Sequence, residues 1–300
     1  MDLSLLKGIY VPIITPVTED EKVDVERLRK QVNYIIEKGV HGILAHGSNG
    51  EFYMFDDDDY ELITRTIVEE TKGRVPVLMG IGAIRTSKAV KLAQMGKRIG
   101  VDGLSVLQPM FLKPTDEELF LYFKEIADSV EDLPVLLYNN PRIGYTISAD
   151  LVEKVAKEVN NIVGMKDSSG DINQLMEFIR RTRNLEFKVF GGKDTMIYAS
   201  LAVGGVGAVC STANMFPEIV TEIYNKYIEG DLKGALDLQY RFNPVRMAQD
   251  KASFPVATKD MANINGMKVG NPVKPSLPSK DNLIEFFKDK MKEADLLIKE

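Results

Sequence analysis

Three hundred residues suffice for one large domain, or for one domain with a smaller appendage. The chain is 44% hydrophobic and 27% charged, which excludes a disordered or fibrous protein, and its net charge of -6, with no block of Lys and Arg, excludes an electrostatic nucleic-acid binder. A single cysteine, Cys210, excludes a disulfide framework, and two histidines, His41 and His46, leave too few ligands for a zinc site. No metal or organic cofactor is expected.

The opening MDLSLLKGIYVP lacks a charged-then-apolar leader, and no apolar run reaches the ~18 residues that span a bilayer. The chain therefore reads as soluble and cytoplasmic. Short apolar runs predict strands at Ile9–Pro16, His41–Gly47, Val75–Gly82, Asp102–Gln108, Leu133–Asn139, Ile162–Lys166, Phe187–Phe190 and Val206–Ser211. Between them lie stretches with helical spacing, such as Leu28, Val32, Ile35, Ile36 and Leu151, Val152, Val155. Asp56–Asp59 precedes another such stretch, where negative charge suits a helix start better than it suits a metal site.

Internal echoes support a repeated unit. Gly39-Val40-His41-Gly42, Gly100-Val101-Asp102-Gly103 and Gly204-Gly205-Val206-Gly207 each close a helix on glycine and enter a strand. Arg74-Val75-Pro76-Val77-Leu78 and Asp132-Leu133-Pro134-Val135-Leu136 repeat a second strand entry, with proline where no ladder donor is needed. Eight β-then-α units predict an α/β fold, a (β/α)₈ TIM barrel, over 1–225. A doubly wound open sheet has the same strand count, but no glycine-rich dinucleotide turn follows Pro16. Residues 226–300 read as a C-terminal helical extension, with breaks at Pro244, Pro255 and the 271–278 stretch. Its last helix sets Ile284, Phe287, Met291, Ala294 and Ile298 on one stripe.

A barrel carries its reactive groups at the carboxyl ends of its strands. Read in order, those ends hold Thr15, the 46–51 turn, Gln108, Tyr138-Asn139-Asn140, Lys166-Asp167-Ser168, Lys193-Asp194 and Ser211-Thr212. Lys166 ends the apolar run Ile162-Val163-Gly164-Met165, and alternation puts 164, 166 and 168 on one face. Desolvation there favours the neutral amine that imine formation requires; a lysine that snorkels from the rim is the equal alternative. Lys193 competes with it, from a looser position after Gly191-Gly192. Tyr138 either shuttles a proton at the barrel mouth or packs with its hydroxyl satisfied. Gly47-Ser48-Asn49-Gly50-Glu51 suits a small anion, as do many turns of that composition. The glycines at 204–207 are either a phosphate cradle or a site of close helix–strand packing.

Taken together, GSNGE at 47–51, YNNP at 138–141, GMKDSSGD at 164–171 and GAVCSTAN at 207–214 resemble the dihydrodipicolinate synthase/N-acetylneuraminate lyase family of pyruvate-dependent class I aldolases. The resemblance runs from Gly8-Ile9-Tyr10-Val11-Pro12 to the Val269-Gly270-Asn271-Pro272 region. It implies a (β/α)₈ barrel with a C-terminal helical segment, a homotetramer, and pyruvate and an aldehyde as substrates. It further implies Lys166 as the Schiff-base lysine, Tyr138 as proton relay, and Ser48 and Asn49 as the pyruvate carboxylate site, with Ser48 assisting the tyrosine. Val209 matches a residue whose backbone borders pyruvate; Asp194 and Ser211 match contacts to a polyhydroxylated substrate in the lyase branch.

Two departures bear on the substrate. The synthase branch has a Tyr-Tyr pair, lent by a neighbouring subunit, where this chain has Met110-Phe111, and Phe111 has no hydroxyl. Its aldehyde-carboxylate arginine is matched only approximately by Arg142, in a segment one residue shorter. These departures favour a Schiff-base lyase acting on a 2-oxo acid of the 2-keto-3-deoxy sugar acid, sialic acid or 4-hydroxy-2-oxoglutarate type. The alternative is 4-hydroxy-tetrahydrodipicolinate synthase, which condenses pyruvate with aspartate semialdehyde. A third reading is a non-catalytic homologue that binds a keto acid.

Overall fold

The computed structural model describes residues 3–297. Eight strands and the helices after them alternate without exception: β1 (Gly8–Pro12), α1 (Val25–Glu37), β2 (Gly42–Ala45), α2 (Asp57–Thr71), β3 (Val77–Ile81), α3 (Thr86–Ile99), β4 (Gly103–Leu107), α4 (Asp116–Asp128), β5 (Val135–Asn139), α5 (Ala149–Glu158), β6 (Ile162–Asp167), α6 (Ile172–Thr182), β7 (Lys188–Gly191), α7 (Ile197–Ala202), β8 (Gly207–Val209) and α8 (Pro217–Glu229). All neighbours pair in parallel, and β8 returns to β1 through Gly8, Ile9 and Tyr10, so the sheet is a closed barrel. Closure excludes the open doubly wound sheet. The three glycine echoes have one cause: Gly39, Gly100 and Gly204 all sit at positive φ, between 83° and 100°, where a side chain is strained.

Strand alternation sorts side chains into two cores. Tyr10, Leu44, Leu78, Leu136, Phe190 and Val209 form a buried cluster with Leu6, while Ile9, Val11, Val135, Leu137 and Met165 pack with the helices. Leu6 belongs to the chain start, and the Tyr10 hydroxyl donates to the Leu5 carbonyl at 3.1 Å. A register shift opposite Val135 and Leu136 accommodates one extra residue, Val163, in β6. Beyond it Lys166 pairs in register with Tyr138 on β5 and Phe190 on β7.

Six strands, all but β6 and β7, are shorter than the apolar runs that predict them, and β1 and β8 show why. β1 ends at Pro12 rather than Pro16, because the chain leaves the ladder and the Ile14 N–H turns to the side chain of Asn214. β8 ends at Val209 rather than Ser211, where a short 3₁₀ turn over Ser211–Asn214 begins. At its other end a Cβ on Gly207 would lie 2.0 Å from the Gly8 carbonyl oxygen, so the glycine run serves close backbone packing. Asp56 caps α2, its carboxylate accepting from the N–H groups of Asp58 and Asp59.

After the barrel come α9 (Leu232–Ala248), α10 (Val256–Ile264) and α11 (Asp281–Glu293). The break predicted at Pro244 does not occur; α9 runs through it. Pro244 lies on the exposed face, so water can satisfy the carbonyl one turn back, while Phe242, Val245 and Ala248 are buried on the other side. Phe287 and Met291 of α11 are fully buried and Ala294 nearly so; Ile298, the last residue of the predicted stripe, lies outside the described residues. No helix of the described residues is long and apolar enough to cross a membrane.

Candidate active site

The carboxyl ends of β5 and β6 meet in one cavity. It is lined by Asn49, Tyr138, Asn140, Arg142, Lys166 and Ser168, together with Lys193, Asp194, Val209, Ser211, Arg246 and Phe254. Lys166 is 4% exposed, and its Nζ lies 4.2 Å from the centroid of the Tyr138 ring. That contact follows from register, since the two residues are directly paired across the ladder. Lys193, the competing lysine, is half-buried at the rim, where burial lowers its proton affinity and the charges of Arg142 and Arg246 lower it further.

A relay of amides orients the phenol. The Gln108 side chain donates to the Tyr145 carbonyl at 3.2 Å and accepts from the Asn140 N–H at 3.1 Å. Asn140 in turn donates from Nδ2 to the Tyr138 hydroxyl at 3.1 Å. Asn139, whose side chain binds the Asp167 carboxylate at 2.7 Å, braces the same corner. Burial pushes the Tyr138 pKa up, but the Lys166 ammonium and the hydroxyls of Ser48 and Ser168 favour the phenolate more, and the net direction is down. Ser48 thus faces the tyrosine rather than the open cavity. A buried lysine beside a phenol of lowered pKa at the foot of such a cavity can carry out imine formation and proton transfer.

Asn49 is set by the C-terminal segment. Its Oδ1 accepts from the Thr258 hydroxyl at 3.1 Å, leaving the amide N–H donors for an anion in the cavity. The same turn is fastened by a buried ion pair, Lys259 Nζ to Glu51 Oε2 at 2.5 Å, with both side chains at 0–1% exposure. Lys259 also donates to the Asn271 carbonyl, and Glu51 Oε1 accepts the Val273 N–H at 2.8 Å. Replacing Lys259 with Met should cost about 3–5 kcal/mol, because Glu51 is left charged and buried. Denaturant unfolding measures this, and adding Glu51→Gln should recover part of the loss; a single variant as stable as wild type would show the pair to be unimportant.

Asp194 and Ser211 line the cavity together, but the carboxylate is already engaged: its Oδ2 accepts from the Ser211 hydroxyl, the Thr212 N–H and the Thr212 hydroxyl at 2.6–3.1 Å. Asp194 thereby holds the loop after β8 in place. Arg142 is an exposed rim residue whose guanidinium lies 4.0 Å over the Phe254 ring. Phe111 stands apart, 94% exposed at φ 69° on the loop after β4, away from this chain's cavity. Arg246 and Phe254 reach the cavity from beyond the barrel; nothing in their sequence neighbourhood marks them.

His46 does not join the site. It stacks on Tyr60 at 3.5 Å between ring centroids, with Nε2 within 3.1 Å of the Tyr60 carbonyl and 2.9 Å of the Thr64 hydroxyl. Burial pushes its pKa down to about 3, so it is neutral in the folded state at neutral pH. The unfolded chain takes up a proton near pH 6.5, so folding stability falls as the pH drops from 6.5 toward 3. The loss accumulates across this interval and totals on the order of 5 kcal/mol only once the pH lies below both values. His46→Asn tolerates the positive φ of 53° and should flatten that acid limb. Stability curves that stay parallel between pH 6.5 and 4 would rule out His46 as the group responsible.

Known proteins share this architecture and chain length. The model of the dihydrodipicolinate synthetase family matches residues 5–294. A 4-hydroxy-tetrahydrodipicolinate synthase from Methanoculleus marisnigri is 37% identical over 280 residues, covering 92% of this chain and 95% of the relative. One of the same name from Methanopyrus kandleri is 33% identical over 294 residues, covering 97% of each chain. Among solved structures, a prophage protein of the dihydrodipicolinic acid synthase family from Escherichia coli, in complex with pyruvate, superposes with a TM-score of 0.93 at 27% identity, covering 97% of this chain and 99% of that one. The chain belongs to the dihydrodipicolinate synthetase family, and it is an enzyme of the class I, Schiff-base carbon–carbon lyase kind.

Proposed function

We propose that this enzyme condenses pyruvate with aspartate semialdehyde, as a 4-hydroxy-tetrahydrodipicolinate synthase. The observation that carries the chemistry is the Lys166 side chain buried against the Tyr138 ring in the wall of the cavity. The choice of aldehyde is supported by the names of the relatives, and it reverses the preference for a sugar-acid lyase drawn from Phe111 and the shortened Arg142 segment.

In the proposed sequence Lys166 Nζ, as the neutral amine, adds to C2 of pyruvate while Asn49 holds its carboxylate and Ser48 orients the Tyr138 hydroxyl. Tyr138 supplies the proton that lets the C2 oxygen leave as water, which yields the imine. Loss of a C3 proton gives the enamine, whose C3 attacks the aldehyde carbon. The imine stores the electron pair at each stage, and water or an amine later releases Lys166. The Val209 backbone borders the keto acid, and Arg142 takes the carboxylate of the aldehyde from the rim. Asp194 and Ser211 act on the outer part of the substrate through the loop they fix.

A second reading, aldol cleavage of a 2-keto-3-deoxy acid, is favoured by one feature: Phe111 lacks the hydroxyl that the synthase branch borrows across a subunit contact. The homotetramer is likewise proposed, with support from the fully presented Phe111 and the half-exposed Leu112 beside it. Turnover of pyruvate with aspartate semialdehyde, glyoxylate, glyceraldehyde and N-acetylmannosamine tests the choice. Efficient use of aspartate semialdehyde alone supports the synthase; preference for glyceraldehyde or N-acetylmannosamine overturns it.

A further inference from the structure

Tyr138 and Asn140 stand two apart at the end of β5, and both line the cavity. Asn139 between them is spent elsewhere: Nδ2 donates to Asp167, and Oδ1 accepts the Ile147 N–H at 2.9 Å. Backbone groups fix the sense of the two amides that lead to the phenol. The Tyr145 carbonyl can only accept, so Gln108 turns Nε2 to it and Oε1 to the Asn140 N–H. The Arg142 N–H can only donate, so Asn140 turns Oδ1 to it, at 3.2 Å, and Nδ2 to the Tyr138 oxygen. Asn140 is 5% exposed, which shields these bonds from competing water.

The local turn uses only one end of this side chain. Oδ1 caps the short 3₁₀ turn over Pro141–Ile143, and an aspartate or serine oxygen would serve there as well. The amide nitrogen takes no part in the cap; its partner is the phenol oxygen. Because Asn140 presents a donor there and no acceptor, the Tyr138 O–H cannot point toward it. The proton is left on the side of Lys166, Ser48 and Ser168.

We propose that Asn140 is a positioning residue for the proton transfer: its amide N–H holds the Tyr138 oxygen, directs the phenol O–H toward the C2 oxygen of the bound keto acid, and stabilises the phenolate once that proton has moved. This rests on the Schiff-base reading above and deepens it by naming the group that aims the Tyr138 proton. Lys166 is the charged group against the Tyr138 ring, and Arg142, Lys193, Asp194 and Arg246 share the cavity wall. Asn140 is uncharged, so a leucine in its place removes the donor and leaves the charge of the cavity as it was.

Two replacements separate this role from the cap. Asn140→Asp keeps the acceptor for the Arg142 N–H and turns the donor into an acceptor, whereas Asn140→Leu loses both. Each should lower kcat by about 10–100-fold at neutral pH, with KM for pyruvate within about threefold of wild type. Each should also move the alkaline limb of kcat up by about one pH unit or more, because a phenolate that has lost a hydrogen bond keeps its proton to higher pH. A wild-type kcat and limb in Asn140→Asp overturns the proposal and leaves the residue as a turn cap. Should Asn140→Leu fail to fold, Asn140→Asp decides alone. Borohydride trapping separates the two levels: no pyruvyl adduct in the wild type removes the Schiff-base reading itself, whereas a wild-type adduct with the limb unmoved in Asn140→Asp removes only the role of Asn140.

Discussion

Lys166→Arg is expected to abolish the borohydride-trapped pyruvyl adduct and to bring turnover down to background, a loss of about 10⁴-fold or more. The guanidinium keeps the positive charge beside the Tyr138 ring but is never deprotonated at neutral pH, so it has no lone pair to offer C2 of pyruvate. The fold should persist. Arginine adds volume at a site only 4% exposed, which costs about 1–3 kcal/mol, and the cavity above Lys166 can absorb some of it. Mass mapping of the reduced wild-type protein should place the adduct on the peptide carrying Lys166. An adduct that forms in the variant, or that maps to Lys193 in the wild type, sinks the assignment.

Tyr138→Phe should slow turnover by about 10²–10⁴ while pyruvate still binds, because the ring remains beside Lys166 and only the proton carrier is lost. The pH profile carries the stronger test. Release of the C2 oxygen as water needs the phenol in its protonated form, so activity should fall as the pH rises through the Tyr138 pKa. That pKa is lower than for an ordinary tyrosine, since Lys166 and the hydroxyls of Ser48 and Ser168 outweigh the effect of burial. The alkaline limb of kcat should therefore begin early in the wild type and disappear in Tyr138→Phe. A loss under tenfold with the limb intact would assign the proton to another group. His46 is not that group, for its ring lies outside the cavity against Tyr60 and Thr64.

The barrel was legible because its signals are local. Each β/α unit carries an apolar run, a helical stripe and a glycine at the helix end, and these depend on neighbours a few positions away. Lys166 and Tyr138 were legible for the same reason: each ends an apolar strand, and strand ends in a closed barrel converge. Asn49, Val209, Arg142, Asp194 and Ser211 were found through motif order, and the structure places all five in the wall of one cavity. Their chemical roles are a separate matter, which the variants above address.

What the amino-acid sequence by itself determined is the repeated unit, the number of strands, and the place of a lysine and a tyrosine at two strand ends; their pairing waits on the register shift at Val163. Alternation and register leave little choice once the barrel closes. The tertiary structure alone decided how the later helices complete the site. Thr258 meets Asn49 across 209 positions, and Lys259 meets Glu51 in the same contact, so no local pattern predicts either. Pro244 reads as a break, yet burial of Phe242, Val245 and Ala248 outweighs the missing hydrogen bond and carries Arg246 to the cavity. His46 begins the 46–51 turn at a strand end, yet burial keeps it neutral and its ring stacks on Tyr60 outside the pocket. In each case the deciding energy is burial against a distant segment, a quantity that exists only after the chain has folded.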